Sequence, residues 1–234
     1  MYISDLKTRV YGRICASPPR RIWGIGDFED FGAPDAITKV LQRLAQAGNI
    51  RRIDRGLYDR PRLNKLTGKT TAADYRAVID AIARRDQTRM LVDGMTAAND
   101  LGLSDAVPGR VIVHSDTRLK PIHLENLTIT FKPTSASKLY WAGRPAMRIV
   151  QALHWLKPKL ENLEDRERIK RRINTLLSDP KRGAALRQDL LAGFTALPAW
   201  MKEFLNDMKS LGNNPTRKPK VPRRDNKLGK TAAT

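Results

Sequence analysis

Residues 26–59 read GDFEDFGAPDAITKVLQRLAQAGNIRRIDRGLYD, and this stretch decides how the N-terminal part of the chain folds. Ile37, Val40, Leu41, Leu44 and Ala47 recur at about 100° per residue, which predicts one buried face of a helix. Pro34 suits a first helical turn, where an N–H has no intrahelical partner, and Gly48 suits a left-handed residue just past a helix end. The helix is therefore expected from Pro34 to Ala47. Opposite its apolar stripe lie Asp35, Thr38, Lys39, Gln42 and Gln46, with Arg43 on the flank. Thr, Lys, Gln and Arg side chains can bond base edges or phosphates in a major groove. Thr38, Lys39, Gln42 and Arg43 are accordingly the candidate DNA-binding residues of a recognition helix.

The flanks complete a winged helix-turn-helix. Asp27 is expected to cap a short helix, Phe28 to Phe31, whose two phenylalanines point inward, and Gly32-Ala33 supplies the turn between helices. Downstream, Ile50, Ile53 and Leu57 are strand-like around Asp54-Arg55-Gly56, which predicts a hairpin. That hairpin is the expected wing, and its Arg51, Arg52 and Arg55 are the cations it would carry to phosphates or a minor groove. Upstream, Leu6, Val10 and Ile14 predict a helix over residues 4–14 with Lys7, Arg9 and Arg13 outward, stopped by Pro18-Pro19. Trp23 is expected to anchor a short strand or turn to the core, and Cys15 to be a small core residue.

The chain has 234 residues, 41% hydrophobic and 29% charged, enough for two small domains that each bury a core. Lys and Arg number 44 against 24 Asp and Glu, a formal net charge of +20, so a polyanionic partner is expected, nucleic acid first. The single cysteine excludes an internal disulfide and a cysteine-based zinc site. There is no apolar run long enough to span a bilayer and no apolar core of a signal peptide, so the expected location is cytoplasmic, without membrane contact.

Residues 60–71 are polar and rich in chain breakers, and mark a connector between a DNA-binding domain at 1–60 and a second domain at 71–208. The second domain reads as mixed α/β (α+β). A helix is expected from Ala72 to Arg85, a strand at Met90–Val92, and a helix of small residues from Gly94 to Leu101 that can approach a neighbour closely. A small sheet is expected from Arg110–His114, Ile122–Leu124 and Leu127–Lys132, then a helix from Ala146 to Leu156. The last part is helical: Leu160, Leu163, Ile169, Ile173, Leu176 and Leu177 form one stripe. Asp179-Pro180 opens a helix holding Leu186, Leu190 and Leu191, and Leu197-Pro198 opens one holding Met201, Phe204, Leu205 and Met208. These stripes read as core, and could also serve a homodimer on DNA. From Lys209 the tail 209–234 carries eight cations against one acid, 8 − 1 = +7, and is expected to be disordered and to attract nucleic acid without sequence choice.

The run from Asp27-Phe28 through Ala36–Gly48 to Arg51-Arg52-Ile53-Asp54-Arg55-Gly56-Leu57-Tyr58 resembles the N-terminal domain of the AbiEi family, the antitoxins of type IV toxin–antitoxin (abortive infection) systems. A second block, Gly94-Met95-Thr96-Ala97-Ala98-Asn99-Asp100-Leu101-Gly102-Leu103-Ser104-Asp105-Ala106-Val107-Pro108, resembles the start of that family's following domain. The resemblance covers about Met1 to Lys132. It implies an antitoxin that binds double-stranded operator DNA, represses its own operon as part of phage defence, and counteracts an AbiEii-type nucleotidyltransferase toxin through its C-terminal domain, with or without stable contact.

No catalytic, cofactor-binding or metal-binding residue is expected. Thr67-Gly68-Lys69-Thr70 imitates the end of a P-loop, but Leu63 stands where its first glycine belongs, and Gly24-Ile25-Gly26 fails as a dinucleotide fingerprint because Glu29 stands where the third glycine belongs. His114, His123 and His154 lack metal-ligand spacing, and no serine sits in a nucleophile elbow. The alternative is a nucleic-acid-processing enzyme with a winged-helix substrate-binding domain, in which Asp93, Asp116 and Glu125 converge near Lys132.

Overall fold

The computed structural model describes residues 3–18, 20–105, 109–125 and 127–208. Pro19, the last three residues of the second resembling block (Ala106, Val107 and Pro108) and the basic tail from Lys209 lie outside the described residues. The fold is mixed α/β. It parts into two compact units, residues 1–173 and 174–234.

The first unit opens with helix α1 (Ile3–Ala16), strand β1 (Ile22–Gly24), a 3₁₀ stretch (Ile25–Phe31), helix α2 (Pro34–Gln46), and strands β2 (Arg51–Asp54) and β3 (Leu57–Asp59). The strands form an antiparallel sheet in the order β1-β3-β2, with Trp23 opposite Tyr58 and Arg52 opposite Tyr58. Leu6, Val10 and Ile14 of α1 and Ile37, Val40, Leu41 and Leu44 of α2 share one core with Trp23, Phe28, Ile50 and Tyr58. Each fully buried aliphatic side chain contributes roughly 1.5–3 kcal/mol, so the α2 stripe is a main support of this layer. Trp23 stacks on Phe28 at 5.2 Å, as expected of an anchoring aromatic.

Three details differ from expectation. Ala47 is exposed, because it is the residue at which α2 ends and lies past the last packed turn. Cys15 is half-buried and not a core residue; it lies beside Tyr11, whose phenol it pushes up in pKa through a hydrogen bond. Asp27 is not the cap of the short helix but sits three residues in, where Oδ2 accepts the N–H of Gly24 at 2.7 Å. The segment it tightens is 3₁₀ with a break at Phe28, and only Phe28 is fully buried. Phe31 is half-buried against the same core, with the guanidinium of Arg13 over its outer side, 3.8 Å from its ring centre.

After residues 60–74 come helix α3 (Tyr75–Asp86), strand β4 (Met90–Val92), helix α4 (Gly94–Asp100) and strands β5 (Arg110–Ser115), β6 (Ile122–Leu124) and β7 (Leu127–Pro133). The sheet order is β4-β5-β7-β6, with β5 and β7 parallel and the outer pairs antiparallel. Val111, Val113 and Ser115 are buried while the residues between them are more open, the period-two signature of a strand with one covered face. Asp74 and Asp93 cap α3 and α4: Asp74 accepts the N–H of Arg76, and Asp93 those of Met95 and Thr96.

Helix α5 (Met147–Leu156) packs on α4 at short range. A Cβ placed on Gly94 would lie 2.6 Å from the Cβ of Trp155 and 2.7 Å from the carbonyl oxygen of Gln151, so only glycine fits. The unit ends in a 3₁₀ stretch (Lys157–Glu161) and the first part of helix α6 (Leu163–Leu177). Ile169 and Ile173 are buried, but Leu163 is 76% exposed: it stands in the first turn, ahead of the first packed position.

The second unit holds the end of α6, helix α7 (Gly183–Ala192) and helix α8 (Ala199–Asn206). Leu177, Leu190, Leu197, Met201, Phe204, Leu205 and Met208 are buried. Leu191 is exposed, one residue off the covered face. Asp179 caps a turn ahead of α7, accepting the N–H groups of Lys181 and Arg182 at 2.9 and 2.8 Å. Among the described residues no helix is long and apolar enough to cross a membrane.

Candidate nucleic-acid interface

The burial of Ile37, Val40, Leu41 and Leu44 fixes how α2 is rotated, and this leaves Lys39, Gln42, Arg43 and Gln46 exposed. Thr38 is half-buried, and its hydroxyl donates to the carbonyl of Pro34 at 2.8 Å. That bond holds the Thr38 oxygen against the helix, so of the polar face Lys39, Gln42 and Arg43 reach furthest. Gly48 takes a φ of +72°, which lets the chain leave α2 and turn directly into β2.

The three hairpin arginines are in unlike surroundings. Arg51 is pinned: Nε and Nη2 meet the two carboxylate oxygens of Asp59 at 3.0 and 2.7 Å, and Nη1 donates to Glu125 at 2.9 Å. The hydrogen bonds it donates to Asp59 hold the guanidinium above its ordinary pKa range. Arg52 is exposed, with one long bond from Nε to the carbonyl of Asp54, and Arg55 stands exposed in the turn. Gly56, at φ +70°, closes that turn.

Arg85 of α3 braces the hairpin from outside. Its Nη1 donates to the carbonyl of Arg55 at 2.6 Å and to Asp54 at 3.2 Å, while Asp86 takes Nε and Nη2. No spacing in the sequence points to this residue, because its partner lies thirty residues upstream. A turn anchored at its own backbone keeps Arg52 and Arg55 in one orientation.

Two of the three acids of the 3₁₀ stretch, Asp27 and Asp30, are matched by cations. Arg13 makes a two-point pair with Asp30 at 2.7 and 2.6 Å and donates to the carbonyl of Asp27 at 2.8 Å; Arg21 pairs with Asp27 at 2.8 Å. The Arg13 guanidinium holds the Asp30 carboxyl below the usual range. Asp27 and Asp30 are thereby offset, so they oppose an approaching polyanion less than their count suggests.

The carboxylates considered for an enzyme do not meet. Asp93 is consumed by its cap, by the Thr96 hydroxyl at 2.6 Å and by the N–H of Ile112 at 3.1 Å. Asp116 accepts the hydroxyl of Thr88, the N–H of Arg89 at 3.1 Å and its Nε at 3.3 Å. Glu125 is bound to Arg51. Among the described residues no group of three or more His, Cys, Asp or Glu could hold a metal ion.

A deeply buried charge belongs instead to Asp100 at the end of α4, whose side chain is 2% exposed. It accepts from the Tyr75 hydroxyl, from Arg76 Nε at 2.8 Å and from Arg148 Nε at 3.0 Å. Burial, then the bond to Asp100, keeps the Tyr75 phenol protonated. All three partners saturate one carboxylate and tie α3 and α5 to α4, which is a structural task.

Among curated proteins none matches the chain. Among solved structures, the crystal structure of the RV2827C protein from Mycobacterium tuberculosis is similar with a TM-score of 0.41 and 16% identity, over 90% of this chain and 78% of that one. The family model described as "Family of unknown function (DUF6088)" matches residues 12–184, a span that takes in α2, the hairpin, the four-stranded sheet and α4 to α6, and the chain accordingly belongs to the DUF6088 family.

Proposed function

We propose that residues 1–60 are a winged helix-turn-helix that binds double-stranded operator DNA, with α2 in the major groove and the β2–β3 hairpin as the wing. The observation that carries this reading is the split surface of α2: one face is sealed in the core, and the other presents Lys39, Gln42 and Arg43, with Asp35 in the first turn as its single acid. Lys and Arg there neutralise phosphates, and Gln42 can read an adenine edge with its paired donor and acceptor. Arg52 and Arg55 are the wing cations free to reach the backbone, while Arg51 positions the wing through Asp59 and Glu125. The net charge of +20 supplies the long-range attraction.

The resemblance to the AbiEi family supplies the setting. In this reading the protein represses its own operon, and residues 71–208 counteract an AbiEii-type nucleotidyltransferase toxin. The enzyme alternative is less well supported, because Asp93, Asp116 and Glu125 are each satisfied in separate places.

Binding of the full chain to the DNA upstream of its own gene, compared with a shuffled duplex over a salt series, tests the first claim. The reading requires tighter binding to the upstream segment and affinity that falls with salt; equal binding to both duplexes would remove the operator. For the second claim, co-expression with an AbiEii-type nucleotidyltransferase toxin should restore the growth that the toxin arrests.

A further inference from the structure

Residues 60–71, RPRLNKLTGKTT, follow β3 directly and fold back on themselves. Leu63 pairs with Thr70 in an antiparallel bridge, the N–H of Thr71 donates to Arg62 at 2.7 Å, and the N–H of Asn64 to Lys69 at 2.8 Å. At the tip the N–H of Gly68 returns to the carbonyl of Asn64 at 2.8 Å, and Asn64 Oδ1 accepts the N–H of Leu66 at 2.9 Å. Gly68 takes φ +65° to close the turn. The segment is thus a small self-bonded finger.

Its composition is unlike that of a connector. Arg60, Arg62, Lys65 and Lys69 give it four cations and no acid. Two leucines project from it with nothing covering them: Leu66 is 96% exposed and Leu63 72%. Elsewhere in the first unit leucines of this size are packed, apart from Leu163. Exposing the apolar surface of two leucines is unfavourable by a few kcal/mol unless a partner takes it up, and the surrounding cations specify a partner of dense negative charge.

We propose that this finger is a second DNA contact, in which Leu66 enters the minor groove as a wedge between stacked bases and Arg62, Lys65 and Lys69 hold the flanking phosphates. The inference rests on the DNA-binding reading of residues 1–60 and deepens it. Apolar side chains from a basic segment are the groups that partly unstack a base step and bend the duplex, and leucine has the length and shape for it. Chain geometry permits the reach: the seven residues from Asp59 to Leu66 extend at most about 25 Å, within the span from a major groove to its neighbouring minor groove. The wedge favours flexible pyrimidine–purine steps, which deform most easily, so it adds a preference at positions that α2 does not touch.

The test uses the full chain and a duplex of the DNA upstream of its gene, with 2-aminopurine placed at successive flexible steps. Wild type should raise the fluorescence of one such probe, the mark of unstacking. Leu66→Ser should abolish that rise and weaken binding by about tenfold, the loss of one apolar anchor. Lys65→Gln with Lys69→Gln should keep the rise while flattening the salt dependence. If Leu66→Ser and wild type bind alike with equal fluorescence, the wedge is overturned and the DNA-binding reading stands. If wild type does not bind the duplex, both fall. Sedimentation with phosphatidylglycerol vesicles provides the remaining arm: a Leu66-dependent association with vesicles and none with DNA would assign the finger to a lipid surface and overturn the wedge.

Discussion

Arg51 and Asp59 stand opposite each other on the paired strands of the hairpin, and their side chains close a two-point ion pair at 3.0 and 2.7 Å. The Asp59 side chain is nearly buried, and both of its carboxylate oxygens accept from Arg51. One of three arginines that look alike in the sequence is therefore part of the scaffold, and its neighbours Arg52 and Arg55 are part of the surface.

The pair predicts that Arg51→Ala and Arg52→Ala fail in different ways. Arg51→Ala leaves an unpaired buried carboxylate and should cost about 2–3 kcal/mol of unfolding free energy. Arg52→Ala should leave stability within about 0.5 kcal/mol, while lowering affinity for every duplex and reducing the salt slope by about one. Urea unfolding beside DNA titration separates them; a stable Arg51→Ala protein would remove the scaffold assignment.

Two glycines in helices should respond with opposite signs. At Gly94 an added methyl collides with Trp155 and Gln151, and Gly94→Ala should destabilise by about 1–3 kcal/mol as α4 and α5 are forced apart. At Gly12, inside α1, nothing lies within 4 Å, and Gly12→Ala should stabilise by about 0.5–1 kcal/mol through the unfolded chain. Thermal unfolding of both variants is the check, and a neutral Gly94→Ala would contradict the close helix contact.

Asp116 links stability to acid. The Thr88 hydroxyl, and then the N–H and side chain of Arg89, hold its carboxyl below the usual range. A group whose folded pKa is depressed contributes stability that is present above the unfolded value near 3.9 and is lost as pH falls through the folded one. Thr88→Val should move the Asp116 carboxyl titration up toward that ordinary value and shift acid unfolding to higher pH. Carbon-13 NMR of the carboxyl reads this directly, and an unchanged titration would show that Thr88 is not the cause.

Much of the N-terminal layer was legible because its signals are local. The stripe from Ile37 to Leu44 has the period of a helix, Gly48 marks its end, and Asp54-Arg55-Gly56 marks the hairpin. The small residues Gly94, Ala97 and Ala98 likewise announced a close helix contact, now seen against α5. What was not legible depends on partners far along the chain: Arg51 with Glu125 seventy-four residues on, Arg85 with Arg55, and Asp100 with Tyr75 and Arg148. Periodicity also overreached at element ends, where Leu163 and Leu191 fit an apolar spacing and remain exposed because no neighbour extends that far.

If repression and protection run through different parts of the chain, Arg52→Ala with Arg55→Ala should abolish repression of a reporter placed behind the upstream DNA and leave rescue from the co-expressed toxin intact at matched protein levels. Both side chains are exposed, so the fold should persist. Loss of rescue in that folded double variant would tie protection to DNA binding.

The central claim is that the open face of α2 reads DNA, and fluorescence anisotropy with the variant Lys39→Ala, Gln42→Ala, Arg43→Ala against upstream and shuffled duplexes tests it most directly. Wild type should prefer the upstream duplex. The triple variant, whose core face is untouched, should keep its unfolding midpoint and lose that preference, with the Gln42 contribution alone about 1–3 kcal/mol if it makes a paired base contact. A folded triple variant that still distinguishes the two duplexes as wild type does would contradict the account.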